Sequence, residues 1–320
     1  MKYVKKMLWM LLLCVLVVGC GKEAKKEDAE KQQEESVQPN EKEIVYEVPR
    51  GEAFDSDVPY DKTIQVGTIE EQVLYDDNDV IIKATELSVS EYGEVVLGIN
   101  IQNNREKSVR VQTRENALNQ CLMPSILSVD VESGATSDAE IVFSKAWIQR
   151  WELTDITELK FVIYLADSDS LEGGDRWWIE TEPIAVKTSL AASYTQQYDD
   201  SGIVLYDKDG IRIIAKNVNT DKYESENLVI YVENDTDCYV SVFTQNITIS
   251  GKAATGIYMA EMLPQTKALD VVAFMRGTMD ALGVEKIEEM EIGFQVFAVD
   301  MNGESLPGVE AGPYKIKVVE

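Results

Sequence analysis

The sequence predicts an all-β chain made of two tandem immunoglobulin-like β-sandwich domains, each with one short helical element. Two observations predict this class: a long stretch recurs at a constant displacement, and short alternating apolar and polar segments follow one another between turn residues. The stretch LYDDNDVIIKATEL, which begins at Leu74, recurs as LYDKDGIRIIAKNV from Leu205, so residue numbers rise by 131. We expect one sandwich over residues 63–190 and another over residues 199–320.

The same displacement of 131 relates residues far from this stretch. It pairs Asn103 with Asn234 and Phe143 with Phe274. It also pairs two apolar triplets, namely Leu97, Ile99 and Ile101 with Leu228, Ile230 and Val232. Because one displacement holds over so many positions, we expect the two triplets to occupy equivalent core positions in the two repeats.

Alternating segments flank the paired asparagines. VVLGINIQ precedes Asn103 and EKSVRVQT follows shortly after it, and the second repeat has the same arrangement around Asn234. This pattern predicts an antiparallel hairpin in each repeat, with Asn103-Asn104 and Asn234-Asp235 at the corners. A small open β-barrel is the alternative to the sandwich for this number of strands.

One helical segment interrupts each series of strands, SKAWIQRWEL in the first repeat and GTMDALGVEKI in the second. Gly283 is the expected helix stop, because glycine readily adopts the left-handed conformation there. Glu152 takes the equivalent place in the first repeat. Trp147 and Trp151 lie four residues apart, which predicts a core-facing pair on one helix face.

The first residues have the pattern of an export signal. Lysines near the N-terminus precede an apolar run that ends at Val18, and Gly19 and Cys20 follow. The run is shorter than the roughly 20 apolar residues that a membrane-spanning helix needs. We therefore predict a cleaved signal peptide over residues 1–19.

The letters VVGC that end at Cys20 resemble the lipobox of bacterial lipoproteins. The resemblance implies that the Cys20 thiol is acylated, with chains such as palmitate, and becomes the mature N-terminus. We expect this lipid anchor to hold the protein on the extracellular face of the cell membrane, because two or three acyl chains retain a protein firmly. In the alternative, the signal is an ordinary cleaved one and Cys20 is incidental.

Residues 20–62 are predicted to be the lipidated cysteine and a disordered charged linker. The segment is rich in Glu, Lys and Gln and has scarcely an apolar residue before Ile44. Such a composition cannot bury enough apolar surface to fold. A solvated helix is the alternative for KEAKKEDAEKQQEE, since Glu and Lys stand four apart. In either conformation the segment acts as a spacer.

The tandem units contain LYDDNDVIIKATEL, INIQNNREKSVRVQ and ELKFVIYLAD behind the lipobox. In this they resemble uncharacterised lipoproteins of clostridia and related Gram-positive bacteria, built from immunoglobulin-like domains of unknown function. The resemblance implies the sandwich fold and a place at the cell surface or wall. It provides no catalytic residue.

Composition restricts the classes of function. Asp and Glu number 57 against 30 Lys and Arg, a net charge of −27, so we expect no nucleic-acid partner. There is no histidine, which removes the commonest general base, the Ser–His and Cys–His pairs and most zinc sites. We therefore expect no enzyme, no cofactor and no metal.

Acidic clusters occur at Asp76–Asp79, Asp167–Ser170, Asp199-Asp200 and Asp207–Gly210. Asp, Asn and Gly are the residues that tight turns need, so the clusters favour hairpin corners. A weak calcium site between the domains is the alternative.

Cys121 lies in the first repeat and Cys238 in the second, at non-equivalent places, so neither repeat has a disulfide of its own. An inter-repeat bridge is the alternative to free thiols.

Trp177 and Trp178 are the candidate ligand-binding residues. Adjacent side chains of an extended segment point to opposite faces, so one indole should face solvent, where it could stack on a sugar ring. In the competing interpretation, that indole covers the end of the sandwich or the second repeat. The second repeat has no aromatic residue in the matching region.

These features together predict a lipid-anchored extracellular protein that acts as a non-catalytic binding or structural module. Its ligand would be a cell-wall polymer, an exported protein or a small molecule. The alternative is a carboxylate-dependent hydrolase of cell-wall polymers or other glycans. The binding component of a transporter is disfavoured, because the chain lacks the alternating helix and strand pattern of such proteins.

Overall fold

A computed structural model of the protein describes residues 44–168, 177–300 and 302–320. Short β-strands dominate these residues. The predicted signal peptide, Cys20 and the linker up to residue 43 lie outside the described residues, as do Asp169 and Ser170. The strands of the N-terminal segment and the first repeat are β1 Val45–Pro49, β2 Gln65–Val66, β3 Gln72–Asp77, β4 Val80–Val89, β5 Val95–Asn103, β6 Val109–Leu118, β7 Cys121–Leu122, β8 Ser125–Ile126, β9 Ser128–Val131, β10 Thr136–Phe143, β11 Asp155–Ile156, β12 Glu158–Asp167, β13 Trp178–Glu180 and β14 Ile184–Lys187.

The strands of the second repeat are β15 Ile203–Lys208, β16 Ile211–Thr220, β17 Glu226–Asn234, β18 Tyr239–Ile249, β19 Lys252–Ala253, β20 Met259–Met262, β21 Thr266–Phe274, β22 Glu289–Val299 and β23 Val309–Val319. Within the described residues, each repeat has one helix, α1 Lys145–Arg150 and α2 Arg276–Leu282. The predicted all-β class is therefore confirmed.

The strands of the described residues form four sheets. The first repeat has a five-stranded sheet with the order β3-β4-β5-β10-β8. The second repeat has a six-stranded sheet with the order β1-β23-β22-β18-β19, in which β20 also pairs with β18. A ten-stranded sheet with the order β13-β12-β6-β7-β21-β17-β16-β15 runs through both repeats, with β14 on β12 and β9 on β6, and β2 pairs with β11. Each repeat packs its core between its own sheet and its half of the shared sheet, which is the sandwich arrangement.

The displacement of 131 holds for the pairing partners as well as for the strands. Leu97 lies opposite Leu87 in β4 and Ile141 in β10. Leu228 lies opposite Val218 and Val272, whose numbers are higher by the same 131. All six residues of the two triplets are buried. The predicted equivalence of the triplets is confirmed.

The predicted hairpins at Asn103 and Asn234 are wrong. β5 pairs with β4 and β10, whereas β6 pairs with β12, β7 and β9 in the ten-stranded sheet. The chain therefore crosses from one sheet to the other after Asn103, and it does so again after Asn234, between β17 and β18. Both strands of each pair face the same core, so both alternate, and alternation alone does not distinguish neighbouring strands from facing ones.

The predicted linker extends too far, because residues 45–49 form β1. This strand pairs in parallel with β23 at the end of the second repeat. Val48 is fully buried in the core of the second repeat, and Tyr46 packs against that core. Short alternation within VYEVP supplies the apolar face, and its partner strand lies at the far end of the chain.

The two repeats contact each other closely. In the ten-stranded sheet β7 lies beside β21, with Cys121 opposite Lys267. Ile214 and Tyr231 of the second repeat are part of the core cluster of the first repeat. Val45–Glu320 accordingly forms one compact unit. The division into separate domains at residues 63–190 and 199–320 stays a prediction.

A residue in the left-handed conformation follows each helix, directly after α2 and one residue later after α1. Gly283 has a φ of 67°, as predicted for a helix stop, and Glu152 has a φ of 52° at the equivalent position. Of the predicted core-facing pair, Trp151 is buried and donates its Nε1 hydrogen to the Leu122 carbonyl at 3.1 Å. Trp147 is only half-buried. Cys121, which is buried, and Cys238, which is half-buried, are both free thiols.

Candidate functional site

Trp177 lies just before β13 and packs against the core of the first repeat. The guanidinium carbon of Arg105 lies 3.4 Å from the centroid of its ring, within the range of a cation–π contact. Arg105 also forms an ion pair with Asp167, at 2.8 Å between Nη2 and Oδ1. The indole is half-buried and is therefore fixed by a charged network as well as by the core.

Trp178 is also half-buried, but it contacts different neighbours. It stacks on Tyr164 of β12, with ring centroids 6.0 Å apart and planes 24° from parallel. The guanidinium carbon of Arg114 lies 4.2 Å from the centroid of the same tyrosine ring. Trp178, Tyr164 and Arg114 thus form a row across β13, β12 and β6, which we call the aromatic row. Whether either tryptophan binds a ligand stays a prediction.

Acidic residues occupy the corners of the β3–β4 and β15–β16 hairpins. Asn78 and Asp79 both have positive φ angles, of 52° and 59°, and Asp209 and Gly210 repeat this at 54° and 76°. Two successive positive φ angles define the tight turn that joins such strands. Asp199 accepts a hydrogen bond from Lys216, and this bond helps to lower the pKa of Asp199 to about 2. No group of three or more Asp, Glu or Cys side chains among the described residues is arranged to hold a metal ion.

A cleft lies between the two repeats, and we call it the inter-repeat cleft. Its volume is about 430 Å³. From the first repeat it is lined by Arg114, Glu115 and Asn116 of β6, the segment Leu122–Pro124, and Trp147 of α1. From the second repeat it is lined by Met259–Glu261 of β20 and Ala268–Asp270 of β21. Charged and apolar side chains thus face one space, as ligand sites require.

A β-bulge positions the polar groups of the cleft. The β6–β12 pairing shifts register between Lys160 and Val162, and Glu115 takes a φ of 43° at this point. A bulge bends its strand and redirects the side chains that it carries. Asn116 is buried, and its Oδ1 has no hydrogen-bond partner within the described residues. An unpaired buried acceptor costs about 1–3 kcal/mol, so a ligand that donates a hydrogen bond there would recover stability.

Carboxylates concentrate around this bulge. The pKa of Glu115 is raised to about 7, first by burial and then by the negative charges of Glu180 and Glu261. Arg114 acts in the opposite direction. Burial also raises the pKa of Glu180, with Glu261 adding to the effect. None of the ion pairs among the described residues includes Glu115, Glu180 or Glu261. The cleft therefore favours a ligand that is positively charged.

Sequence patterns gave no indication of this cleft, because its two walls come from different repeats. One difference between the two repeats nevertheless marks the position of the cleft. At the equivalent bulge of the second repeat, Asn246 and Ile247 take the places of Glu115 and Asn116. Ile247 belongs to the core of the second repeat. A polar residue in the place of a core aliphatic residue marks the site in the first repeat.

No protein-family model and no curated protein matches the chain. The solved structures that are similar to it include a chaperone and a protein of unknown function. The YadV chaperone, at 12% identity and a TM-score of 0.22, covers 72% of this chain and 99% of its own. A protein of unknown function from Porphyromonas gingivalis W83, at 11% identity and a TM-score of 0.20, covers 75% of this chain and 99% of its own. Likenesses of this degree support no statement about function.

Among residues 44–168, 177–300 and 302–320, no helix combines the length and the apolar character that crossing a membrane would require.

Proposed function

We propose that this protein is a lipoprotein anchored on the extracellular face of the cell membrane, where it binds a ligand without transforming it chemically. The ligand would be a cell-wall polymer, an exported protein or a small molecule. The observation that carries the binding role is the inter-repeat cleft, with the buried and unpaired Oδ1 of Asn116 beside the raised pKa of Glu115. Fold alone would not support a function.

The anchor is proposed from the sequence pattern that ends at Cys20. A charged segment of about 24 residues separates Cys20 from the first described strand. We propose that this segment acts as the spacer between the anchor and the folded residues. The resemblance to clostridial lipoproteins supports the same location.

Replacement of Cys20 by Ser should abolish membrane anchoring. Without the thiol there is no acceptor for the acyl chains, and a single protein without them has no firm hold on the bilayer. We expect the Cys20→Ser protein as unprocessed precursor or in the culture medium, when membrane and soluble fractions are compared by immunoblot. Cys14→Ser is the matched control and should remain membrane-bound. A mature, membrane-bound Cys20→Ser protein would refute the anchor.

Trp178 should contribute to ligand binding more than to stability. It stacks on Tyr164, whose ring also contacts Arg114 of the inter-repeat cleft, whereas Trp177 packs against the core and Arg105. In a titration with a ligand from a screen of wall fragments, glycans and secreted proteins, Trp178→Ala should cost more than about 2 kcal/mol of binding free energy. Its thermal midpoint should change little. Trp177→Ala is the matched control, with unchanged affinity and a lower thermal midpoint.

A carboxylate-dependent glycan hydrolase is the second candidate function. One observation favours it: Glu115, with its pKa raised to about 7, is suited to donate a proton at neutral pH, and Glu180 and Glu261 act on it electrostatically. Incubation with wall glycans, followed by a reducing-sugar assay, separates the two candidates. Hydrolysis that Glu115→Gln abolishes would replace the binding proposal.

A further inference from the structure

The duplication makes the bulge of the first repeat informative. Both repeats keep the bulge, and both keep a residue with positive φ in it, Glu115 at 43° and Asn246 at 51°. In the first repeat, this bulge places Glu115 and Asn116 in the lining of the inter-repeat cleft. Asn246 is exposed instead, and Ile247 completes a core. The backbone feature is therefore common to the fold, whereas the polar pair Glu115-Asn116 is specific to the cleft.

Negative charge predominates in the inter-repeat cleft. Glu115 and Glu261 line it, Asp270 lines it from β21, and Glu180 adds its charge from β13. The Asp270 carboxylate also pairs with Arg150, whose Nη1 lies 3.6 Å from its Oδ1. Arg114 is the cation beside Glu115, and its guanidinium lies against the Tyr164 ring. An anionic ligand would meet an excess of carboxylates here.

The apolar lining indicates the rest of the ligand. Met123 is buried, Leu122 and Trp147 are half-buried, and Met259 is exposed at the rim. An aliphatic stem can bury its methylene groups along such a surface while its charged head reaches the polar groups. The Trp147 ring already holds a cation, since the Arg150 guanidinium carbon lies 5.1 Å from its centroid, so Trp147 offers the ligand apolar contact. The Oδ1 of Asn116 requires a hydrogen-bond donor, which ammonium and guanidinium groups supply.

We propose that the inter-repeat cleft binds a primary ammonium or guanidinium group carried on an aliphatic stem, such as a lysine or arginine side chain or a free diamine. This inference rests on the proposed binding function and names the chemistry of its ligand. Glu115 and Glu261 attract the charge, Asn116 accepts a hydrogen bond from it, and Trp147 and Met123 cover the stem.

Calorimetric titration of the full-length chain in detergent tests this. The probes are 1,5-diaminopentane and the capped peptide Gly-Lys-Gly, each at pH 8 and pH 5.5. We expect saturable binding at pH 8 and about tenfold weaker binding at pH 5.5, because Glu115 with a pKa of about 7 is protonated at the lower pH. A response to both probes or to either one supports the proposal, and the probe that responds identifies a free diamine or a protein side chain as the source.

Variants locate the binding. Glu115→Gln should weaken binding at pH 8 about tenfold and remove most of the pH dependence. Asn116→Ile, which introduces the residue type of the second repeat, should also weaken it about tenfold. Asn246→Gly is the matched control, because it alters the exposed bulge of the second repeat and accepts a positive φ, and it should bind as the unaltered protein does.

Unfolding would not explain a loss of binding in Glu115→Gln. The pKa of Glu115 is higher in the folded protein than its ordinary value of 4.5, so ionisation destabilises the fold as pH rises through about 7. Glutamine removes this cost, and the thermal midpoint at pH 8 should not fall.

If neither amine binds while a wall fragment or secreted protein does, the inference is overturned and the binding function stands. If no ligand binds at all, both fail. Equal affinities for all variants would also overturn the inference.

Discussion

Replacement of Arg50 by Met is expected to lower the free energy of unfolding by about 3–5 kcal/mol, because it leaves a buried carboxylate without its counter-ion. Arg50 Nη1 lies 3.1 Å from Glu226 Oε2, and the glutamate side chain is 1% exposed. Arg50 also donates through Nη2 to the Ile287 carbonyl at 2.8 Å. Glu226 in turn accepts hydrogen bonds from the Ile287 backbone N–H and from the Thr220 hydroxyl.

This pair holds the N-terminal segment on the second repeat. Arg50 follows β1 directly, and its backbone N–H donates to the Val319 carbonyl at 2.7 Å. Gly51 donates to Val218 at 2.9 Å. A fragment that begins at residue 63 would lack both β1 and this ion pair. We therefore expect such a fragment to unfold at lower denaturant concentration than one that begins at residue 44.

Equilibrium urea denaturation of the full-length chain measures the effect. The matched control is Lys222→Met, which removes an exposed ion pair between the second repeat and Asp57 of the same N-terminal segment. That variant should unfold at nearly the original midpoint, since exposed pairs contribute little. The double variant with Glu226→Gln should recover part of the loss by removing the unpaired charge. A midpoint for Arg50→Met equal to that of Lys222→Met would show that the buried pair does not hold the segment.

The repeated strands could be predicted from the sequence because the duplication was visible in residue identities. Leu97 and Leu228 share their place in the repeat, and their partners in the sheets follow. The pairing of consecutive strands could not be predicted in the same way. The connection between Asn103 and Val109 is short enough for a hairpin or for a crossing between facing sheets, and both solutions bury the same alternate residues.

The candidate site depended on contacts that no local pattern encodes. Trp177 and Trp178 stood out because they are large and adjacent, but their neighbours Arg105 and Tyr164 lie far from them in sequence. Glu115 could not be distinguished from any other surface glutamate until β20 and β21 of the second repeat were placed opposite it. β1 was missed for a related reason, since its partner β23 lies more than 250 residues further along the chain.

The buried asparagines at the two crossings should be equally important for stability. Asn103 is fully buried, and its Nδ2 donates to the carbonyls of Lys107 at 2.9 Å, Val131 at 2.9 Å and Glu132 at 3.0 Å. Asn234 is also fully buried, and its Nδ2 donates to Cys238 and Leu263, each at 2.9 Å. In each set, one acceptor lies four residues later in the chain, Lys107 or Cys238. The other acceptors, Val131 and Glu132 or Leu263, lie about 30 residues later.

Asn103→Ala and Asn234→Ala are each expected to lower the free energy of unfolding by about 2–4 kcal/mol, because each leaves one buried carbonyl, of Val131 or Leu263, unpaired at about 1–3 kcal/mol and removes bonds to partly buried carbonyls as well. Asn104→Ala is the matched control, since Asn104 is exposed and its side chain accepts a hydrogen bond from the exposed Gln102. It should change the free energy by no more than about 0.5 kcal/mol. Urea denaturation compares the three variants. A large loss for one asparagine with none for the other would mean that the two crossings, although related by duplication, are not stabilised in the same way.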